Sequence, residues 1–250
     1  MNFKIAFKLF DSFYRTLGYL FLYIFFGLIL DTPYLASKFE HTQYVALLVL
    51  IIGFFIVYFR VNKRTKEQMI YAVILGFIGE HLFSIGLGMY TYRLGNVPLY
   101  IPLGHAVVLV AVVYFNKKPI VKEHQKFLEN IFTIFVLLYA TLFLIFASDV
   151  FGFVMSLLVI FLLRNKPRER LFYLSMYIAV AFLEIVGTSY GCWFWPETAW
   201  DAIPFLKSAN PPSGISLFYF LLDLGSLWLY KQRHKIAWKR MKNIRKIQES

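Results

Sequence analysis

The stretch 69–89, MIYAVILGFIGEHLFSIGLGM, decides the fold: 21 residues in which the only ionisable side chains are Tyr71, Glu80 and His81. A run of that length and apolarity matches the roughly 20 residues an α-helix needs to cross a hydrocarbon core about 30 Å thick. Similar apolar runs lie near residues 13–30, 44–59, 101–116, 127–147, 150–163, 171–190 and 214–230. The expected architecture is therefore all-α, a polytopic membrane protein of eight transmembrane helices, with a tight helical hairpin at Ser148-Asp149.

Composition agrees. Of 250 residues, 59% are hydrophobic and only 16% charged, against about 25% charged in soluble domains. The net charge of +12 comes from bases in short runs between apolar segments, so the membrane accounts for it and nucleic acid is not expected as a partner. Cytoplasmic loops retain Lys and Arg. Twenty-three of the 26 bases fall on one side of an eight-span chain, and Lys38, Arg93 and Lys207 on the other. Both termini are thus expected in the cytoplasm, with the protein in the plasma membrane, the inner membrane of a bacterium. The tail 231–250 carries eight bases against one acid, interleaved with Ile236, Trp238, Met241, Ile244 and Ile247. It is expected to lie on anionic inner-leaflet lipids. A single cysteine, Cys192, excludes an intramolecular disulfide framework.

One pattern occurs twice. Glu80, Gly88, Tyr90, Tyr92, Pro98, Pro102 and Gly104 recur in order as Glu184, Gly191, Trp193, Trp195, Pro204, Pro212 and Gly214. Ser84 and Thr188 follow their glutamates by four residues, on the same helix face. This is the mark of an internal repeat: a first four-span half at 1–116, a cytoplasmic linker at 117–126, a second four-span half at 127–230 and a basic amphipathic tail at 231–250. Four spans per half imply parallel topology about an axis along the membrane normal.

At about 1.5 Å per residue, Glu80 and Glu184 are expected about 14–15 Å below the aromatic pairs, near mid-membrane. Asp223, nine residues after Gly214, is expected at the same level. Ionisable groups at that depth face the bundle interior and share partners or protons. His105 faces the outer loop and His81 adjoins Glu80, while Ile215 stands where His105 does in the other copy. The candidate catalytic set is Glu80, Glu184, Asp223, His105 and His81. Ser84, Thr188, Tyr90, Tyr92, Trp193 and Trp195 are candidate substrate contacts. For the four aromatics, an interfacial belt is the competing reading; for the acids it is helix packing through hydrogen bonds. No His-x3-His or Glu-x2-His pair occurs, so no metal is expected, and no cofactor.

The residues fit no soluble-enzyme motif, with neither a phosphate loop, a G-x-S-x-G elbow nor an H-E-x-x-H pair. A carboxylic acid in a dry apolar pocket can protonate an alkene, and aromatic faces stabilise the cation formed. A proton- or cation-coupled transporter with paired acids at the midplane is the alternative, and a non-catalytic membrane scaffold is the third. The enzyme predicts an apolar cavity open to lipid, the carrier a wet path to both faces, and the scaffold carboxyls with partners and no cavity.

Glu184-Ile-Val-Gly187-Thr188-x2-Gly191-x-Trp193-x-Trp195 resembles the E-x-x-G-T-x-x-G stretch and following aromatics of membrane carotenoid hydratases. The repeated acid, Gly-x-aromatic-x-aromatic and Pro also resembles the duplicated small-span lycopene cyclases of bacteria and archaea. Where those cyclases carry Pro-Glu-Glu, this chain has Pro102-Leu-Gly-His105 and Pro212-Ser-Gly-Ile215. The resemblance covers about 25–35 residues per half. It implies carotenoid biosynthesis: cofactor-free acid–base chemistry on a polyene by a hydratase or cyclase, with Glu80 and Glu184 as proton donors or bases and Asp223 and His105 orienting or relaying protons.

Overall fold

A computed structural model describes residues 3–240 and residue 243. The chain opens with a continuous rod: α1 (Phe3–Phe13), a π-turn (Tyr14–Gly18), α2 (Tyr19–Leu28) and a 3-10 turn ending at Asp31. There follow α3 (Pro33–Ala36), α4 (Thr42–Arg60), α5 (Lys63–Glu80) prolonged by a π-turn (His81–Gly86), β1 (Thr91–Tyr92), α6 (Tyr100–Lys117) and α7 (Pro119–Glu123). The remainder is α8 (Gln125–Ala147), α9 (Val150–Leu163), α10 (Arg170–Ser189), β2 (Trp193–Phe194), β3 (Thr198–Ala199), β4 (Ile203–Lys207) and α11 (Ser216–Arg233).

The fold is dominated by apolar helices, and among the described residues six are long and apolar enough to cross a membrane: Phe3–Ala36, Thr42–Arg60, Lys63–Gly86, Tyr100–Lys117, Gln125–Ala147 and Arg170–Ser189. Their exposed flanks carry large apolar side chains, among them Leu48, Ile52, Ile74, Leu138 and Ile145, as expected of an integral membrane protein facing lipid. The sixth and eighth expected spans correspond to α9 and α11. The 14 residues of α9 rise only about 21 Å, and α11 carries Asp223, Lys231 and Arg233 within its 18 residues.

At the centre stands α10. Seventy-two per cent of its apolar window is buried, against 44% or less in the other five. It packs on α2, α6, α8 and α11, where Ser175, Ala179 and Ala181 let neighbouring helices approach closely. Ser148, with φ of 54°, and Asp149 form the tight link between α8 and α9. Asp149 caps α9 by accepting from the Gly152 amide at 3.0 Å.

The segments after α5 and α10 hold what an all-α reading does not contain, two small antiparallel ribbons. One is the β3–β4 hairpin. The other joins distant segments, pairing Thr91 with Phe194 and Tyr92 with Trp193. Both its strands follow a glycine at positive φ, Gly88 at 60° and Gly191 at 68°. At these two positions an L side chain would be strained, and there the chain leaves its helix and folds back over it.

On the opposite side, helical structure resumes over 235–240 and Glu67 at the start of α5 accepts from Tyr71 at 2.7 Å. His234 Nε2 stands 2.8 Å from the same carboxylate, and Trp238 faces Arg64 and Lys231. Of the tail's expected apolar residues, Met241, Ile244 and Ile247 lie outside the described residues.

Candidate functional site

Glu80 is the last residue of α5 proper, just before the π-turn. Its carboxyl is 5% exposed and fully engaged. Oε2 accepts from the Tyr90 hydroxyl at 2.5 Å and the Tyr92 hydroxyl at 2.6 Å. Oε1 is 2.7 Å from Nε2 of His105, which α6 presents near its N-terminal end. The sequence placed the two tyrosines far above the acid; instead they touch it. The turn at Gly88 reverses the chain, and residues 90 and 92 alternate with Thr91 along a short strand, so both phenols reach back down to the carboxylate.

Glu184 has the matching environment in different chemistry. It is 4% exposed, and its Oε2 accepts from the indole N–H of Trp193 at 2.8 Å and of Trp195 at 3.1 Å. Oε1 accepts from the Tyr219 hydroxyl on α11 at 3.1 Å. An indole N–H only donates, so Oε2 is an acceptor in every state of this acid. The Tyr219 hydroxyl can donate or accept, so a proton carried on Oε1 would find a partner in Tyr219. At Glu80 one proton can be shared between Oε1 and the His105 imidazole.

The two carboxyls line one cavity of about 30 Å³, walled also by Leu183, Ile215 and Phe218. One ordered water needs roughly 10–15 Å³ by such a measure, so the space takes one or two. The aromatic donors lock across it: Tyr90 lies on Trp195 with ring centroids 4.5 Å apart, and Tyr92 meets Trp193 edge-on at 5.9 Å. A second, apolar cavity of about 80 Å³ adjoins it, lined by residues of α2, α4 and α6 such as Ile24, Leu50 and Val108. Ile101, His105, Leu183 and Tyr219 line both. His105 and Tyr219, whose ring centroids are 4.8 Å apart, thus stand between an acid-lined pocket and an apolar one.

Other expected members are placed elsewhere. His81 turns away, its Nδ1 2.8 Å from the Phe77 carbonyl of its own helix. Ser84 donates to the Tyr90 carbonyl at 3.0 Å, and Thr188 to the Glu184 carbonyl at 2.7 Å, so both hydroxyls hold backbone. Asp223 lines neither cavity, and its Oδ2, which is buried, has no hydrogen-bond partner. Its expected level was counted from Gly214, but Tyr219 is the α11 residue that reaches Glu184, and Asp223 is one turn, about 6 Å, deeper. Among the described residues no cluster of three or more His, Cys, Asp or Glu is arranged to hold a metal.

Two buried aspartates frame the site, both fully inaccessible. Asp31 accepts from Arg93 and from the Tyr100 hydroxyl at 2.6 Å. It thereby ties the residue after Tyr92 to the start of the helix bearing His105. Asp149 accepts from the amides of Ala209 at 3.1 Å and Ser213 at 2.7 Å. Between them Asn210 accepts from the Trp195 amide at 3.0 Å, and Ser213 leads into α11 and Tyr219. Each aspartate thus sets the donors of one glutamate. Neither, nor Tyr219, stood out in the sequence, where a lone acid at a span end reads as a loop residue.

Comparison of the chain with protein-family models, with curated proteins and with solved structures finds no match.

Proposed function

We propose that this protein is an intramembrane acid–base enzyme, without a cofactor, acting on an isoprenoid- or carotenoid-like lipid by protonating an alkene. The observation that carries the reading is the shared wall: His105, bonded to Glu80, and Tyr219, bonded to Glu184, each border both the acid-lined cavity and the apolar one. An alkene in the apolar cavity would receive a proton from the Glu80–His105 pair or from Glu184 on one carbon, leaving a cation on the other. Aromatic faces stabilise that charge. Capture by water held between the glutamates, with return of a proton to a carboxylate, gives an alcohol; capture by a second alkene, with proton loss, gives a ring. The small polar cavity favours water.

The proposal includes the membrane arrangement read from the sequence: eight spans in two parallel halves related by duplication, both termini cytoplasmic, and the basic tail on anionic lipid. Supporting the duplication, each glutamate takes two donors from an aromatic-x-aromatic strand and one from the following helix. The strands pair so that Tyr90 and Tyr92 oppose Trp195 and Trp193. Supporting eight spans, α9 and α11 follow the expected positions.

A static latch is the second reading, favoured by the donors on every oxygen of both carboxyls. The test is an untargeted lipid extraction of cells expressing the wild type or the Glu80→Gln, Glu184→Gln double mutant, compared by mass spectrometry. A product unique to the wild type, isobaric with a precursor or heavier by one water, is expected. Identical lipid profiles, with both proteins folded, would leave the latch.

A further inference from the structure

Above the apolar cavity, at the outer end of α4, a polar pocket of about 340 Å³ is lined by Gln43, Arg93 and Asn96 together with Glu40, His41 and Thr42. That volume lies at the lower end of small-ligand sites, about 300–1,000 Å³. The same two helices floor both spaces. On α4, Gln43 and Leu47 line the upper pocket and Ala46 and Leu50 the lower; on the α6 side, Leu99 lines the upper and Tyr100 and Ile101 the lower. From Gln43 to Leu50 the helix rises about 10 Å. The two linings meet at Ala46 and Leu47, so a partly polar seat adjoins an apolar one, in the order a membrane amphiphile presents its head and chain.

The guanidinium at the upper pocket is already spent. The Arg93 guanidinium bonds Asp31 through both Nε and Nη2, and that carboxylate is fully buried beneath it. Glu40, almost fully exposed, adds a carboxylate at the rim. What remains to meet a ligand is the amide and hydroxyl chemistry of Gln43, Asn96 and Thr42, set among Phe39, Leu47 and Leu94. Asn96 donates to Gln43 Oε1 at 3.1 Å and Gln43 Nε2 to Asp31 at 3.4 Å, which leaves the Asn96 carbonyl and the second N–H of each amide for a ligand. A phosphate would find no unspent cation there, while a hydroxyl or glycerol would find partners.

We infer that the ligand of this site is an amphiphilic lipid from the outer leaflet with an uncharged, hydroxyl-bearing head, held by Gln43 and Asn96 while its chain enters the apolar cavity. This rests on the proposed catalytic reading for what happens to the chain, and gives it a ruler: the head fixes which carbon meets His105 and Tyr219.

Equilibrium binding to the purified full chain in phosphatidylcholine nanodiscs tests it, with 1-monooleoylglycerol, squalene and oleoyl lysophosphatidic acid as probes. Monooleoylglycerol is expected to bind tightest. Asn96→Ala and, independently, Gln43→Ala should weaken it about 5–10-fold, the loss of one hydrogen bond, and leave squalene unchanged. Gly104→Leu, placed where the nearest side chain is Leu50 at 3.9 Å, should fill the apolar cavity and weaken both. Squalene binding as tightly as monooleoylglycerol, no effect of either amide substitution, or a preference for the anionic lipid would each overturn the inference. Failure here with a wild-type-only product in the lipid extracts would leave the catalytic reading standing. Binding as expected with no such product would keep the amphiphile site and remove the catalysis.

Discussion

Tyr92 lies opposite Trp193 in the antiparallel pair of β1 and β2, yet the two donate to different acids, Tyr92 to Glu80 and Trp193 to Glu184. The donors of one glutamate are therefore braced against those of the other. Tyr92→Ala should disturb not only Glu80 but also the indole N–H of Trp193, more than 100 residues away in sequence. The expected result is a shifted or broadened Trp193 indole resonance in an ¹⁵N–¹H spectrum. An unmoved signal would mean the two halves of the site are independent.

Hydroxyl deletions separate catalysis from packing. Tyr219→Phe removes the donor to Oε1 of Glu184 and keeps the ring. It should cost about 1–3 kcal/mol of stability, the range for leaving a buried acceptor short of a partner, and lower product yield tenfold or more. A protein of equal stability and yield would place Tyr219 outside the chemistry.

A Cβ at Gly187 would collide with the Trp193 indole, whereas one at Gly27 meets nothing within 4 Å. Gly187→Ala should displace that indole from Glu184, with a loss of about 1–3 kcal/mol from overpacking. Gly27→Ala should be neutral or stabilising by about 0.5–1 kcal/mol, since alanine is the better helix former. Thermal unfolding in detergent compares the two.

Asp31 and Asp149 make opposite predictions about rescue. Asp31→Asn removes the charge facing Arg93, which is 13% exposed, and should cost about 3–5 kcal/mol, as breaking a buried pair does. The further change Arg93→Gln, which removes the stranded cation, should recover part of that. Asp149 accepts only from backbone amides, so no single side-chain change should compensate Asp149→Ala. Chemical denaturation of the three variants checks both.

Burial pushes the Cys192 thiol up to about 12, with the nearby Asp31 carboxylate adding to the effect. Its reactive thiolate is therefore scarce near pH 8, and maleimide labelling should be slow until the paired loops open. The sign for stability is equally defined. The folded chain holds this proton more tightly than the unfolded one, so the contribution is complete below about pH 9 and is lost as pH climbs toward 12. Rapid labelling of the folded protein at pH 8 would contradict the closed loop.

Apolar runs were long enough to reveal the helices, and the recurring order of Glu, Gly and paired aromatics singled out both carboxyls and four of their six donors. His105 was found through its place after Pro102, but Tyr219 was not. Its counterpart position relative to Gly214 is one turn deeper than His105 is to Gly104, so aligning the two copies pointed to Ile215 instead. A tyrosine inside an apolar span was the available signal. Depth failed for a different reason: counting rise along a helix assumes that the chain continues outward, and the glycines at positive φ turn it back.

Every donor to Glu80 comes from residues 90–105, and every donor to Glu184 from residues 193–219. A chain emerging from the ribosome can therefore settle its first intramembrane acid before the second has been translated. Neither acid waits in lipid for a partner from the far end of the polypeptide. Joining the finished pieces then asks chiefly for ring against ring and one short backbone ribbon, a late step that need not carry an unpaired carboxyl through the bilayer.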